Sequence, residues 1–107
     1  MVWYDKLLTG RLAGRRRKRI IADLESGKHI PGVYLITLAQ NPGELLDIIP
    51  ALMVNTPWFH SDDLLVLGLA AGRKEALSLV RDMVDTVYQA TGSFDMKQYY
   101  LGQETPE

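Results

Sequence analysis

No cysteine occurs among the 107 residues, and only two histidines do, His29 and His60. The first absence removes thiolate nucleophiles, disulfides and cysteine-ligated zinc or iron–sulfur centres; the second leaves too few imidazoles for a histidine-rich metal site. Long apolar runs are also missing. The longest, Leu64 to Ala71, has the length of a strand, far short of the roughly twenty residues of a membrane helix. After the cations of Arg15–Arg19 only Ile20, Ile21 and Ala22 follow before Asp23, too few for the apolar core of a secretory signal. Together these absences set a cytoplasmic location as the expectation. No Gly-x-Gly-x-x-Gly and no Gly-Lys-Ser/Thr is present, so there is no phosphate loop in the strict sense and no cofactor is expected.

What is present is an ordinary globular composition, 47% hydrophobic and 23% charged, at a length typical of one domain. The reading is therefore a single domain over 1–107, with a basic helical segment at 1–28, a sheet-plus-helix core at 33–101 and a frayed polar tail at 102–107. The net charge of −1 hides an asymmetry. Residues 1–28 hold eight Lys/Arg against three acids, a net +5, and residues 29–107 hold four against ten, a net −6.

Local patterns give the elements. Trp3 and Leu7, and Tyr4 and Leu8, stand four apart, which suggests a helical turn or two near the start. Arg15 to Ser26 reads as a helix stopped by Gly27. Val33–Ala39, apolar at nearly every position, reads as a central strand buried on both faces. Asn41-Pro42-Gly43 marks a turn. For Leu45–Val54 a hairpin strand competes with a helix, and Pro50 confines that strand to an edge. Leu64–Ala71 is a second central strand. Arg73–Thr91 repeats apolar residues at three and four and ends at Gly92, so it is a helix. Met96, Gln98 and Tyr100 alternate, which suggests a last strand over Met96–Leu101. The expected fold is α+β: a small mixed four-stranded sheet with two helices packed on it, in the order α-β-β-β-α-β.

Two stretches, Tyr34–Pro42 (YLITLAQNP) with Leu46-Asp47-Ile48, and Glu75–Val80 (EALSLV) with Val87–Gly92 (VYQATG) and Phe94-Asp95, resemble a family of short bacterial proteins of unknown function. The resemblance covers roughly two-thirds of the chain. It implies a small bacterial cytoplasmic domain and carries no activity, ligand or site residue.

Four features bear on function. Arg15, Arg16, Arg17, Lys18 and Arg19 attract phosphates or an acidic protein surface, so nucleic acid is a candidate partner. On a helix, however, five consecutive side chains spread over every face, and the plain alternative is that they pair with the acidic body. Trp3, Tyr4, Leu7, Leu8 and Leu12 ahead of these cations would suit a membrane interface or a partner chain. Ala70-Ala71-Gly72-Arg73-Lys74 joins a strand to a helix start, where backbone amides and the cations Arg73 and Lys74 would favour an anion. In Trp58-Phe59-His60-Ser61-Asp62-Asp63, His60 would act as a general base only if Asp47, Asp95 or His29 converged on it; the aromatics Trp58 and Phe59 suit a protein contact. With no convergent catalytic set visible, the expected function is non-enzymatic protein association. A homodimer made through the last strand or the Trp58–Phe59 loop would supply it, and anion or nucleic-acid binding is the alternative.

Overall fold

The protein was analysed as a computed structural model, which describes residues 1–41, 43–59 and 63–104, the side chains of 103 and 104 excepted. His60, Ser61 and Asp62 of the reactive loop, Pro42 of the turn and the last three residues of the expected tail lie outside the described residues.

The elements run β1 (Val2–Thr9), α1 (Arg11–Arg15), α2 (Arg17–Glu25), β2 (Val33–Leu38), β3 (Leu46–Pro50), α3 (Ala51–Val54), β4 (Leu65–Ala71), α4 (Arg73–Thr91) and α5 (Met96–Glu104). The fold is α+β, with one mixed sheet in the order β1-β4-β2-β3. β2 and β3 form the expected antiparallel hairpin, Leu38 opposite Leu46 and Tyr34 opposite Pro50. β2 also runs antiparallel to β4, and β4 runs parallel to β1.

Helices cover both faces, so the domain has three layers. On one face Ala13, Ile20 and Leu24 from α1 and α2, with Ala51 and Val54 from α3, pack on Leu35, Val66 and Leu69. On the other, Ala76, Leu79, Met83 and Val87 of α4, with Met96 and Tyr100 of α5, pack on Ile36, Leu67 and Ala70. Strands covered on both faces need apolar residues at successive positions, which is why β2 and β4 read as continuous hydrophobic runs. An extra residue, Leu67, sits in β4 between the pairs Ile36–Gly68 and Thr37–Val66. β1 answers with a wider irregularity between Trp3 and Leu8.

The fold class stands, but two elements exchange roles. The first ten residues form an edge strand rather than a helical turn, so the basic segment is helical only from Arg11 onward. A spacing of four fits one face of a strand as well as one face of a helix. Trp3 and Leu7 accordingly belong to one layer, Tyr4 and Leu8 to the other. Conversely, Met96–Leu101 is no strand but the body of α5, which continues through the start of the expected tail to Glu104. Asp95 immediately precedes it and accepts the Gln98 amide at 3.0 Å, the reach of a helix N-cap. Met96 and Tyr100, four apart, are then buried together. The parallel partner of β4 is thus β1, and the expected self-association through a final strand loses its edge.

The contest over Leu45–Val54 ends with both forms present. Pro50 closes edge strand β3 and stands as N-cap of α3 at φ −60°, ψ 133°, the extended conformation its ring allows. The basic run also divides: Arg16, at φ −121°, ψ 22°, separates α1 from α2. α4 begins and ends where its pattern predicts, and Gly92 at φ 74° donates to the Tyr88 carbonyl at 2.8 Å.

Candidate functional site

β1 and β4 are parallel neighbours, so their carboxyl ends lie together, Thr9 opposite Leu69. From there the chain leaves in opposite directions. β1 feeds α1 and α2 onto one face of the sheet, and β4 feeds α4 onto the other. Adjacent parallel strands whose connections diverge leave a crevice at their carboxyl ends, the place where open α/β sheets hold ligands. Here it has a volume of about 970 Å³, and its cationic walls are Arg11 and Arg15 from α1 and Arg73 and Lys74 from α4. Sequence separates these two pairs by more than fifty residues; the β1–β4 pairing brings them to one opening.

Glu75 organises the crevice floor. Its carboxylate accepts the Ala71 amide at 2.6 Å, the Leu12 amide at 2.6 Å and the Ala13 amide at 3.2 Å. One side chain of α4 therefore ties the end of β4 to the start of α1. Partial burial pushes the carboxyl upward, but the three amides and the Arg16 guanidinium outweigh it and hold Glu75 below its ordinary value of 4.5. Gly10 lies so close to this carboxylate that a β-carbon there would overlap it.

The expectation of an anion at Ala70–Lys74 needs correction in detail. The Ala71 amide serves the protein's own carboxylate, and the Gly72 amide donates to the Gly32 carbonyl at 2.7 Å. Gly72 adopts φ 94°, a conformation that favours glycine. The side chains of Arg73 and Lys74 are exposed beside them.

Arg15 to Arg19 are all exposed. They line a second depression of about 480 Å³, and Arg15 belongs to both concavities. The acidic body reaches the run through Glu75, whose carboxylate the Arg16 guanidinium stabilises. Ion pairs join Arg19 to Asp23 at 4.0 Å and Lys28 to Asp23 at 3.4 Å, inside the basic segment. Arg15, Arg17 and Lys18 make none there. The helices touch the sheet through Ala13, Ile20 and Leu24, which leaves the intervening cations pointing at water.

Beyond the crevice, along α4, lies a smaller cavity of about 240 Å³ bordered by Tyr4, Leu8, Met83, Tyr99 and Tyr100. The Tyr100 ring meets Tyr4 edge-on at 5.8 Å and Tyr99 edge-on at 5.0 Å. Its hydroxyl donates to the Met83 carbonyl at 3.0 Å. Burial, with the neighbouring Tyr99 and Tyr4, pushes this phenol up to about 12. Leu79 and Asp82 border both this cavity and the crevice. Sequence reasoning missed the cavity because reading Met96–Leu101 as a strand put Tyr99 and Tyr100 in the wrong layer; the Asp95–Gln98 spacing was the signal for a helix.

The remaining candidates scatter. Tyr4 is buried at 4% exposure, and Trp3 is half-buried, its Nε1 donating to Glu25 at 3.0 Å. Neither is a free surface aromatic, and with Leu7 also buried the interfacial apolar stretch is largely core. Phe59 packs on the core, whereas Trp58 is 73% exposed. Asp47 accepts the Gln40 amide at 3.3 Å and Asp95 serves α5; the histidine they were to orient, His60, lies outside the described residues. Among the described residues no group of three or more metal-ligating side chains gathers, and no helix is long and apolar enough to cross a membrane.

No family model matches this chain, and no curated protein or solved structure matches it either. The fold and site define a class all the same: a three-layer α+β domain with a cation-lined crevice at the ends of two parallel strands.

Proposed function

We propose that this protein binds nucleic acid through its phosphate backbone, in the cytoplasm. The observation that carries the reading is the gathering of Arg11, Arg15, Arg73 and Lys74 around one crevice, continuous through Arg15 with an exposed run in which Arg15, Arg17 and Lys18 have no ion pair among the described residues. Cations of this kind release counterions when they meet phosphates, so affinity falls steeply as salt rises. Contacts of this kind position a protein on the backbone and carry no sequence information, so recognition is of charge. Measured by fluorescence anisotropy, a labelled oligonucleotide should bind at 25 mM salt and dissociate by 200 mM. Changing Arg15–Arg19 to glutamine should flatten the slope of log K against log salt by about 4, on the order of one unit per lost phosphate contact. Absence of binding by the folded chain at low salt would reject the proposal.

A second reading, protein association as a homodimer, is favoured by Trp58, which is 73% exposed and follows a helix, α3, whose Leu52 and Met53 are also exposed. Trp is the residue most suited to anchor a contact. Light scattering at high concentration tests it: a dimer lost in Trp58→Ala supports the reading, and a monomer throughout removes it.

A further inference from the structure

We infer that the crevice and the aromatic cavity beside it form one seat for a single nucleotide, its phosphates among the cations and its base among the tyrosines. This rests on the nucleic-acid reading and narrows it to the unit that is held. Phosphate attraction alone needs only the charged run. It gives no reason for a tyrosine-lined cavity to adjoin the cationic crevice, yet the two share Leu79 and Asp82 as walls.

The chemistry changes along one helix. At its start Arg73 and Lys74, with Arg11 and Arg15 across the opening, supply planar and point cations suited to phosphate oxygens. Further along, Lys6, Thr86 and the half-buried Tyr99, its ring edge-on to the buried Tyr100, border the second cavity; the Tyr99 ring is the surface on which a flat base is held by stacking and dispersion. Between them stands Asp82, an exposed carboxylate that only accepts hydrogen bonds when ionised. It therefore suits the hydroxyls of a ribose and would repel a further phosphate. Anion, hydroxyl donor and flat ring in that order describe a nucleotide, and neither a bare phosphate nor a free aromatic satisfies all three. Eight residues of helix separate Lys74 from Asp82, roughly 12 Å, a span that a triphosphate bridges better than a monophosphate. The larger cavity, about 970 Å³, lies within the range of roughly 300–1,000 Å³ usual for ligand sites.

The test titrates the full chain with ATP, with tripolyphosphate and with adenosine, by calorimetry and by amide chemical shifts. ATP should bind saturably, at least tenfold more tightly than tripolyphosphate, and shift amides both at Gly72–Lys74 and at Tyr99–Tyr100. Arg73→Gln with Lys74→Gln should weaken ATP at least tenfold, while Lys97→Gln, at an exposed cation that borders neither cavity, should leave it unchanged. Tyr99→Leu, at a half-buried position where an apolar residue keeps the fold, should weaken ATP and spare tripolyphosphate. Equal affinity for ATP and tripolyphosphate, or shifts confined to the cationic end, would overturn the nucleotide seat while leaving polyanion binding intact. Oligonucleotide binding without any ATP binding would do the same; loss of both would remove both proposals. Displacement of a bound oligonucleotide by ATP would assign the seat to a nucleotide of a strand, and ATP binding without displacement would assign it to the free nucleotide.

Discussion

The layer of α4 and α5 hangs four buried side chains on a helix of 19 residues, ends it with a left-handed glycine and starts α5 with Asp95. The layer of α1 and α2 consists of helices of five and nine residues broken at Arg16, with no side-chain hydrogen bond at either N-cap and no acid in either first turn. Ala13, Ile20 and Leu24 hold the second layer down, and the five residues from Arg15 to Arg19, between the first two of these anchors, are all cationic and exposed. The two layers also differ in self-sufficiency: Glu75 of α4 supplies the acceptor that α1 lacks locally, taking the Leu12 and Ala13 amides from across the crevice, so the second layer depends on the first for its start.

Substitutions can break that comparison or sharpen it. The largest effect belongs to the better-built layer: Met83→Ala, at a fully buried position, should cost about 2–5 kcal/mol in denaturant unfolding. Next comes the tie between layers. Glu75→Gln keeps the shape but removes the charge that three amides share, and should cost about 1–3 kcal/mol. It should also change the acid limb. Because the folded carboxyl titrates below 4.5, its contribution is complete above that pH and is lost as pH falls through the lower folded value. Unfolding midpoints measured down through this window should fall more in the wild type than in the variant. Asp95→Ala should cost about 1 kcal/mol, the worth of an N-cap, read from the same unfolding curves. Smallest is the cationic layer itself: Arg17→Gln and Lys18→Gln should move stability by less than about 0.5 kcal/mol, since neither side chain pairs or packs. If these last variants proved strongly destabilising, the cations would be structural and the contrast between layers would collapse.

How much of this was legible in the sequence varies with the kind of signal. α4 was readable to the residue because 19 positions repeat one stripe and a glycine closes it. β2 and β4 were readable because only a strand covered on both faces needs apolar neighbours side by side. The two ends were not. At 2–9 the spacing of four does not discriminate strand from helix, and what decides is pairing with Leu65–Leu69, some sixty residues away. At 96–104 a short alternation outweighed a capping signal of one residue pair. The cations were visible as a run, and Arg73 and Lys74 as a pair, but their meeting depends on β1 lying beside β4. The role of Glu75 was hidden for the same reason, since two of its three partners belong to α1.

The placement of β1 also orders events in time. Its partner residues lie about sixty positions later in the chain, Val2 against Leu65. On a chain made from its N terminus, the first strand to exist is therefore the last to find its neighbour. Until β4 is complete, β1 is an apolar ribbon with unmet backbone groups, the kind of segment that associates with other chains. The charges that follow it directly, Arg15 to Arg19, repel their counterparts on neighbouring nascent chains. The same five side chains proposed to meet phosphates thus also act as gatekeepers for the waiting strand, and replacing them should lower the yield of soluble protein even where the finished fold is no less stable.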